Sequence, residues 1–172
     1  MLMEKINESE HRFCNGSISA GSSICRKCSN EGKPVKEITI KSFVKKPRLE
    51  SIKILDGFYF CETPGCEVVY FSNEQDIYLD KADVSVRVGI KETDDPIPIC
   101  YCFGWTRKKI LDQLKRQGFS TAVQEISAKV KAGECACEVN NPAGTRIHHL
   151  LNLAKGKTFS PGWCSIPRLA QL

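Results

Sequence analysis

The sequence predicts an α+β chain in which a small β domain precedes a small helical one. Three observations predict it: aromatic-rich apolar runs around a Pro-Gly turn in the first half, apolar residues at helical spacing in the second, and an Asp- and Pro-rich linker between them. The 172 residues suffice for one compact domain or two small ones. Small domains often draw on metals or disulfides to supplement a thin core. Hydrophobic residues at 41% and charged residues at 26% are the balance of a globular protein, which excludes a disordered or membrane-embedded chain.

Residues 1–22 are polar, rich in Ser, Asn and Gly, and read as a flexible lead-in. Residues 23–90 make up the β domain. Val35, Ile38, Ile40 and Phe43, set among polar residues, predict a strand over Val35–Val44. Phe58–Cys61 and Val68–Phe71 predict a hairpin turning at Glu62-Thr63-Pro64-Gly65. Alternating valines predict a further strand over Val84–Val88. Residues 91–156 make up the helical domain, entered through Asp94-Asp95-Pro96-Ile97-Pro98, which cannot continue a helix. Ile110, Leu111 and Leu114 form one apolar stripe, ended by a left-handed Gly118. A second helix starts at Thr121, with Gln124 placed to complete a capping box, carries Val123, Ile126 and Val130, and ends at Gly133. A third holds Ile147, Leu150, Leu151 and Ala154, and residues 157–172 form a tail without period.

No stretch approaches the roughly 18 apolar residues of a membrane helix, and the N-terminus lacks a basic region followed by an apolar block, so a cytoplasmic protein is expected. The net charge of +5 is scattered, so nucleic-acid binding is not called for, and docking to an acidic protein suits it equally. No Ser/His/Asp arrangement, Gly-rich phosphate loop or spaced carboxylate pair points to an enzyme. The two methionines, Met1 and Met3, are terminal and offer no thioether-rich copper site.

Ten cysteines are the outstanding feature, and all but Cys14 and Cys164 fall into close pairs. Without a secretory signal, close pairs point to metal ligation before disulfides. Cys25-x-x-Cys28 and Cys61-x4-Cys66 supply four thiolates from two turns, the layout of a zinc ribbon with a closed, structural Zn2+. A mononuclear iron of rubredoxin type would use the same donors, but matched two-residue spacing on both sides is lacking. Cys100-x-Cys102 and Cys135-x-Cys137 bracket the first two helices. A Cys-x-Cys pair aims both sulfurs at one object only if the chain wraps around it, and a two-iron, two-sulfur cluster is such an object. A second zinc knuckle is the competing reading, and a zinc-only binding module docking a protein or nucleic acid would follow from it. Cys14, Cys164 and His11 read as spare surface or tail residues.

The runs Asp56–Phe71, Ile99–Thr106 and Cys135–Gly144 closely resemble the N-terminal domain of CopZ-type copper chaperones, over about residues 24 to 155. The resemblance implies a zinc-binding first half and a second half akin to bacterioferritin-associated ferredoxin, carrying a [2Fe-2S] cluster. It implies electron transfer in copper handling, reducing Cu(II) to Cu(I) for a copper-transporting P-type ATPase. The family's Met-x-Cys-x-x-Cys copper loop is not found among these residues, so a separate copper chaperone domain is the expected partner. The family also tends to place a Cys-Cys pair after its Asn-Pro-x-Gly turn. Here Thr145, Arg146 and Ile147 occupy that stretch, followed by His148 and His149. Either Cys135 and Cys137 both ligate, or Cys137 is joined by His148; the two histidines read otherwise as an exposed helix start.

Overall fold

Aromatic and β-branched residues on either side of a Thr-Pro-Gly turn favour a pleated, half-buried hairpin, and the chain forms one. The computed structural model describes residues 22–145. Strand β2 (Tyr59–Phe60) turns back into β3 (Val68–Ser72), which turns again into β4 (Ile77–Asp80), while β1 (Lys33–Pro34) pairs with the outer edge of β2. The four strands are antiparallel in the order β1-β2-β3-β4.

Every residue of β3 is buried, although its sequence is one unbroken apolar run ending in Ser72. An apolar run of that kind marks a strand covered on both faces. The pairing explains how the faces are divided. Val68 faces Asp80 and Tyr70 faces Leu79, so Val69 is an extra residue, a β-bulge. Val69 and Tyr70 thereby point to the same side, into a core with Ile40, Phe43, Phe58, Phe60 and Leu79. Val68 and Phe71 point to the other side, into a cluster with Cys25, Cys61 and Cys66. On that second side Tyr59, Phe71 and Tyr78 stack across three strands, with centroids 5.6 and 6.2 Å apart. Gly32 lies against this stack, where a Cβ would come within 2.7 Å of the Phe71 ring.

The segment expected as a strand over Val35–Val44 is instead helix α1 (Glu37–Phe43), followed by the short α2 (Lys46–Leu49). Ile40 is fully buried while Ile38 is 47% exposed, which two residues on one strand face could not be. Thr39, Ile40 and Phe43 line the helix face that packs on the sheet. Tertiary burial overrides the weak helix preference of Ile and Thr. The strand expected over Val84–Val88 is also absent. Val84 makes an isolated bridge to Val44, and the chain then turns through a 3-10 segment at Gly89–Lys91. Val84 and Val88 are buried singly in the core.

The second half contains a hairpin of β5 (Pro98–Cys100) and β6 (Trp105–Thr106), then α3 (Arg107–Gln117), α4 (Ala122–Lys131) and the single turn α5 (Cys137–Asn140). Thr106 caps α3 by accepting from the Lys109 amide, and Gly118 ends it at φ +78°. Helix α4 begins after Thr121 as expected, but the capping box does not form. The Thr121 hydroxyl donates to Glu125 and accepts from Gln113, and Gln113 also accepts from Ser120 and the Thr121 amide. Gln113 of α3 thus does the ordering assigned to Gln124. The expected third helix, the lead-in and the tail lie outside the described residues. No described helix is long and apolar enough to cross a membrane.

The two halves are joined through side chains the sequence did not single out. Thr39 of α1 donates to the Glu138 carbonyl at 2.8 Å, and Lys36 pairs with the Glu138 carboxylate. The buried Tyr70 hydroxyl donates to the Pro142 carbonyl at 2.6 Å, and Ala143 packs against the main core. Tyr101 accepts from the Gly89 amide and donates to the Arg87 carbonyl.

Candidate metal centres

The first centre is made by two tight knuckles brought together at one end of the sheet. An isolated bridge between Ile24 and Glu31 closes the loop that carries Cys25 and Cys28, and Ser29 takes the left-handed conformation that lets it turn. Buried Asn73, at the β3–β4 turn, donates to the carbonyls of Ser22 and Ile24 and so seats this loop on the sheet. Arg26 pairs with Asp76 on the same turn at 2.7 Å. The other knuckle is the β2–β3 turn, with Cys61 leaving β2 and the Cys66 amide donating to the Thr63 carbonyl.

The sulfurs of Cys25, Cys28, Cys61 and Cys66 lie within 4.8 Å of one another. Cys25 and Cys66 are 4.0 Å apart and Cys28 and Cys61 are 3.6 Å apart. Four thiolates at ~2.3 Å from one tetrahedral ion stand roughly 3.8 Å apart, so the group fits Zn2+. Cys25, Cys61 and Cys66 are buried. Burial pushes the Cys66 thiol up to about 12, opposed by the Val68 amide, and pushes Cys25 up as well. At Cys28 desolvation also acts upward, but hydrogen bonds outweigh it and bring the thiol down to about 6. The first of these is from Thr63, whose hydroxyl lies 3.3 Å from the sulfur and is itself held by Asn30. Lys91, buried at the start of the second half, donates to the Thr63 carbonyl at 2.7 Å. Thiols that no longer favour ionisation when buried need a cation, and a metal supplies it.

The second centre is more open. Cys102 sits in the loop of the β5–β6 hairpin, and Cys135 and Cys137 flank the entry to α5. Their three sulfurs lie within 4.8 Å of one another, and all three residues are only half-buried. Cys102 is 3.8 Å from each of the others, and Cys135 and Cys137 are 2.9 Å apart. Cys100, the fourth residue expected here, is not in this compact group. It is buried at the end of β5, where desolvation raises its thiol and the Cys102 and Cys135 charges raise it further. Asn140 donates its side-chain amide to the Cys102 sulfur at 3.8 Å. His148 lies outside the described residues.

Both arms of this centre are fastened to the first half. Tyr101, between Cys100 and Cys102, anchors one arm at Gly89 and Arg87, and burial raises its phenol to about 12. The other arm is held by the bonds from Thr39 and Tyr70 to residues just after Cys137. Sequence reasoning missed Thr63, Asn73, Tyr70 and Tyr101 as supports. A polar or phenolic residue inside or beside a cysteine knuckle was the available signal.

Comparison with known proteins agrees with this construction. The zf_CopZ zinc binding domain family matches residues 22–85, which hold the first four cysteines. The copper chaperone CopZ of Archaeoglobus fulgidus is 41% identical over 130 residues, covering 75% of this chain and 60% of that protein. The chain thus spans about 60% of the length of that curated relative. The X-ray structure of the Archaeoglobus fulgidus CopZ N-terminal domain superposes with a TM-score of 0.62 at 35% identity, covering 79% of this chain and 99% of that one. With 99% of that domain covered at 35% identity, the chain belongs to the CopZ family, as a small mixed helix-and-sheet, zinc-binding protein of the CopZ N-terminal type.

Proposed function

We propose that the chain is a two-centre metalloprotein that carries single electrons in copper handling. Cys25, Cys28, Cys61 and Cys66 hold a structural Zn2+ in a zinc-ribbon-like half, and Cys100, Cys102, Cys135 and Cys137 hold a [2Fe-2S] cluster in a helical half akin to bacterioferritin-associated ferredoxin. The boundary between the halves falls at residues 91–98. The observation that carries the reading is the contrast between the groups. One is a quartet with tetrahedral spacing and three of its four residues buried, and the other is a half-buried trio with the buried Cys100 outside it. A single small ion takes four donors at one tetrahedral spacing, whereas a two-iron core takes two donors on each iron, so one thiol can stand apart from the other three.

When bound, the cluster supplies a one-electron couple, which suits reduction of Cu(II) to Cu(I). The chain's own residues divide the remaining work. The hairpin loop and the α5 entry present thiols to solvent, and Tyr101, Tyr70 and Thr39 fix those two loops on the zinc half. Asn140 offers an N–H to the Cys102 sulfur, a contact of the kind that raises a cluster's potential. The expected onward partners are a copper chaperone domain and a copper-transporting P-type ATPase. Accessible thiols of this kind suit a reducing, cytoplasmic compartment.

Joint quantification of iron, zinc and sulfide on anaerobically prepared protein tests the reading. About one zinc, two iron and two sulfide per chain, with a visible absorption band, are expected. About two zinc and no iron would select a zinc-only binding module instead.

A further inference from the structure

We propose that the rim of the second cysteine centre is a docking surface for a one-electron carrier protein with an acidic face. This inference rests on the reading of that centre as a [2Fe-2S] site. Helix α3 carries Arg107, Lys108, Lys109, Lys115 and Arg116 against Asp112 alone, and α4 ends in Lys129 and Lys131. Two of these cations reach the loop that bears Cys102. Lys109 donates to the Gly104 carbonyl at 2.6 Å, and the Lys129 ammonium stands 5.1 Å above the ring of Phe103. Beside that loop lies a cavity of about 260 Å³ lined by Trp105, Lys109, Asp112, Gln113 and Arg116.

The carboxylates of residues 98–145 do little to offset this charge. Asp112 is taken up by Lys108 and Glu138 by Lys36, leaving Glu125 and Glu134. Among the described residues no carboxylate pairs with Lys109, Lys115, Arg116, Lys129 or Lys131. Residues 22–97, by contrast, carry twelve Lys and Arg against thirteen Asp and Glu, while residues 98–145 carry seven against four. Unpaired positive charge therefore gathers beside the thiols that solvent can reach.

The chemistry favours an acidic partner and not merely any protein. A cluster with four thiolates is a dianion when oxidised and a trianion when reduced, so by itself it repels an acidic carrier and resists the incoming electron. A collar of ammonium and guanidinium groups reverses the local field, steers an acidic face toward the exposed edge, and stabilises the added charge. Trp105 and Arg116 are of the residue types that anchor interfaces, and the cavity between Lys109 and Arg116 can admit a partner's carboxylate. In the step itself the carrier's cofactor loses one electron and one ferric ion becomes ferrous, with no proton needed.

Stopped-flow reduction of the holoprotein by photoreduced flavodoxin, an acidic one-electron carrier, tests the proposal, with methyl viologen radical as a small cationic reference. The second-order rate with flavodoxin should fall about tenfold between low and physiological ionic strength. Arg116→Glu should slow it severalfold and Lys109→Glu/Arg116→Glu further, with the visible spectrum unchanged. Methyl viologen radical should reduce both variants at least as fast as the parent. A flavodoxin rate indifferent to salt and to both substitutions, in a protein with an intact visible band, overturns the docking surface alone. A colourless protein that takes an electron from neither reagent sinks the cluster reading, and the docking surface with it.

Discussion

The two cysteine centres differ in who owns them. The first is assembled from two knuckles at one end of the sheet, has three of its four cysteines buried, and shares a packed cluster with Phe71 and Val68. The second has its thiols on two loops that are each fastened to the other half of the chain, and it is half-open. A centre that is part of a core contributes to folding, and a centre mounted on a finished core is free to meet partners. On the proposed reading, the same ligand chemistry serves stability in one place and exchange in the other.

Loss of a ligand should separate the two most sharply. Cys61→Ser is expected to unfold the first half, because a structural zinc contributes ~10–16 kcal/mol of apparent binding energy against a domain stability of only ~5–15 kcal/mol. Circular dichroism of the variant checks this. Cys102→Ser should leave the same transition within about 1 kcal/mol and remove only the visible band. A Cys61→Ser protein that keeps its cooperative unfolding would erase the distinction.

Tyr70→Phe probes the fastening. It leaves the buried Pro142 carbonyl without its partner, for an expected cost of about 1–3 kcal/mol. A urea midpoint measures that cost, and faster iron release than in the parent would tie the second centre to the first half. Thr63→Val should act on the zinc side instead, weakening zinc retention by about tenfold or more. The hydroxyl is the first of several hydrogen bonds that bring the Cys28 thiol down to about 6, so without it the thiol rises and half-release of zinc moves to higher pH. A chelator titration across pH reads both. Asp95→Asn should have the smallest effect, under about 1 kcal/mol, since its pair with Arg107 is a third exposed. The guanidinium holds the Asp95 carboxyl below its ordinary value. Its contribution is therefore present above the unfolded value and is lost as pH falls through the folded one. Parent and variant should converge in acid.

Much of this was legible in the residues. The hairpin around Thr63-Pro64-Gly65, the helix ended by Gly118 and the helix following Thr121 all follow from turn chemistry and apolar spacing. The spacing of cysteines grouped the four thiols that lie together in the first centre; of the four it grouped for the second, three lie together and Cys100 does not. Helix α1 was not legible, because Ile38 and Ile40 imitate strand alternation and only contact with the sheet and with α5 decides the matter. The valines at 84 and 88 failed for a related reason: burial of single side chains needs no partner strand. Cys100 is buried at the end of β5 outside the trio, next to a Tyr101 bonded to Gly89, a long-range bond that no local pattern encodes.

Val69 has a consequence for how the protein tolerates change. Because that residue is supernumerary in its strand, deleting it would restore simple alternation, keep Tyr70 and Phe71 on the sides they now occupy, and remove one buried side chain from the main core. The phenol that reaches Pro142 and the ring that backs the zinc thiols would both stay where they are, so the deletion would cost the packing of Val69 alone. One inserted amino acid thus thickens the main core by a side chain without changing which layer its neighbours serve.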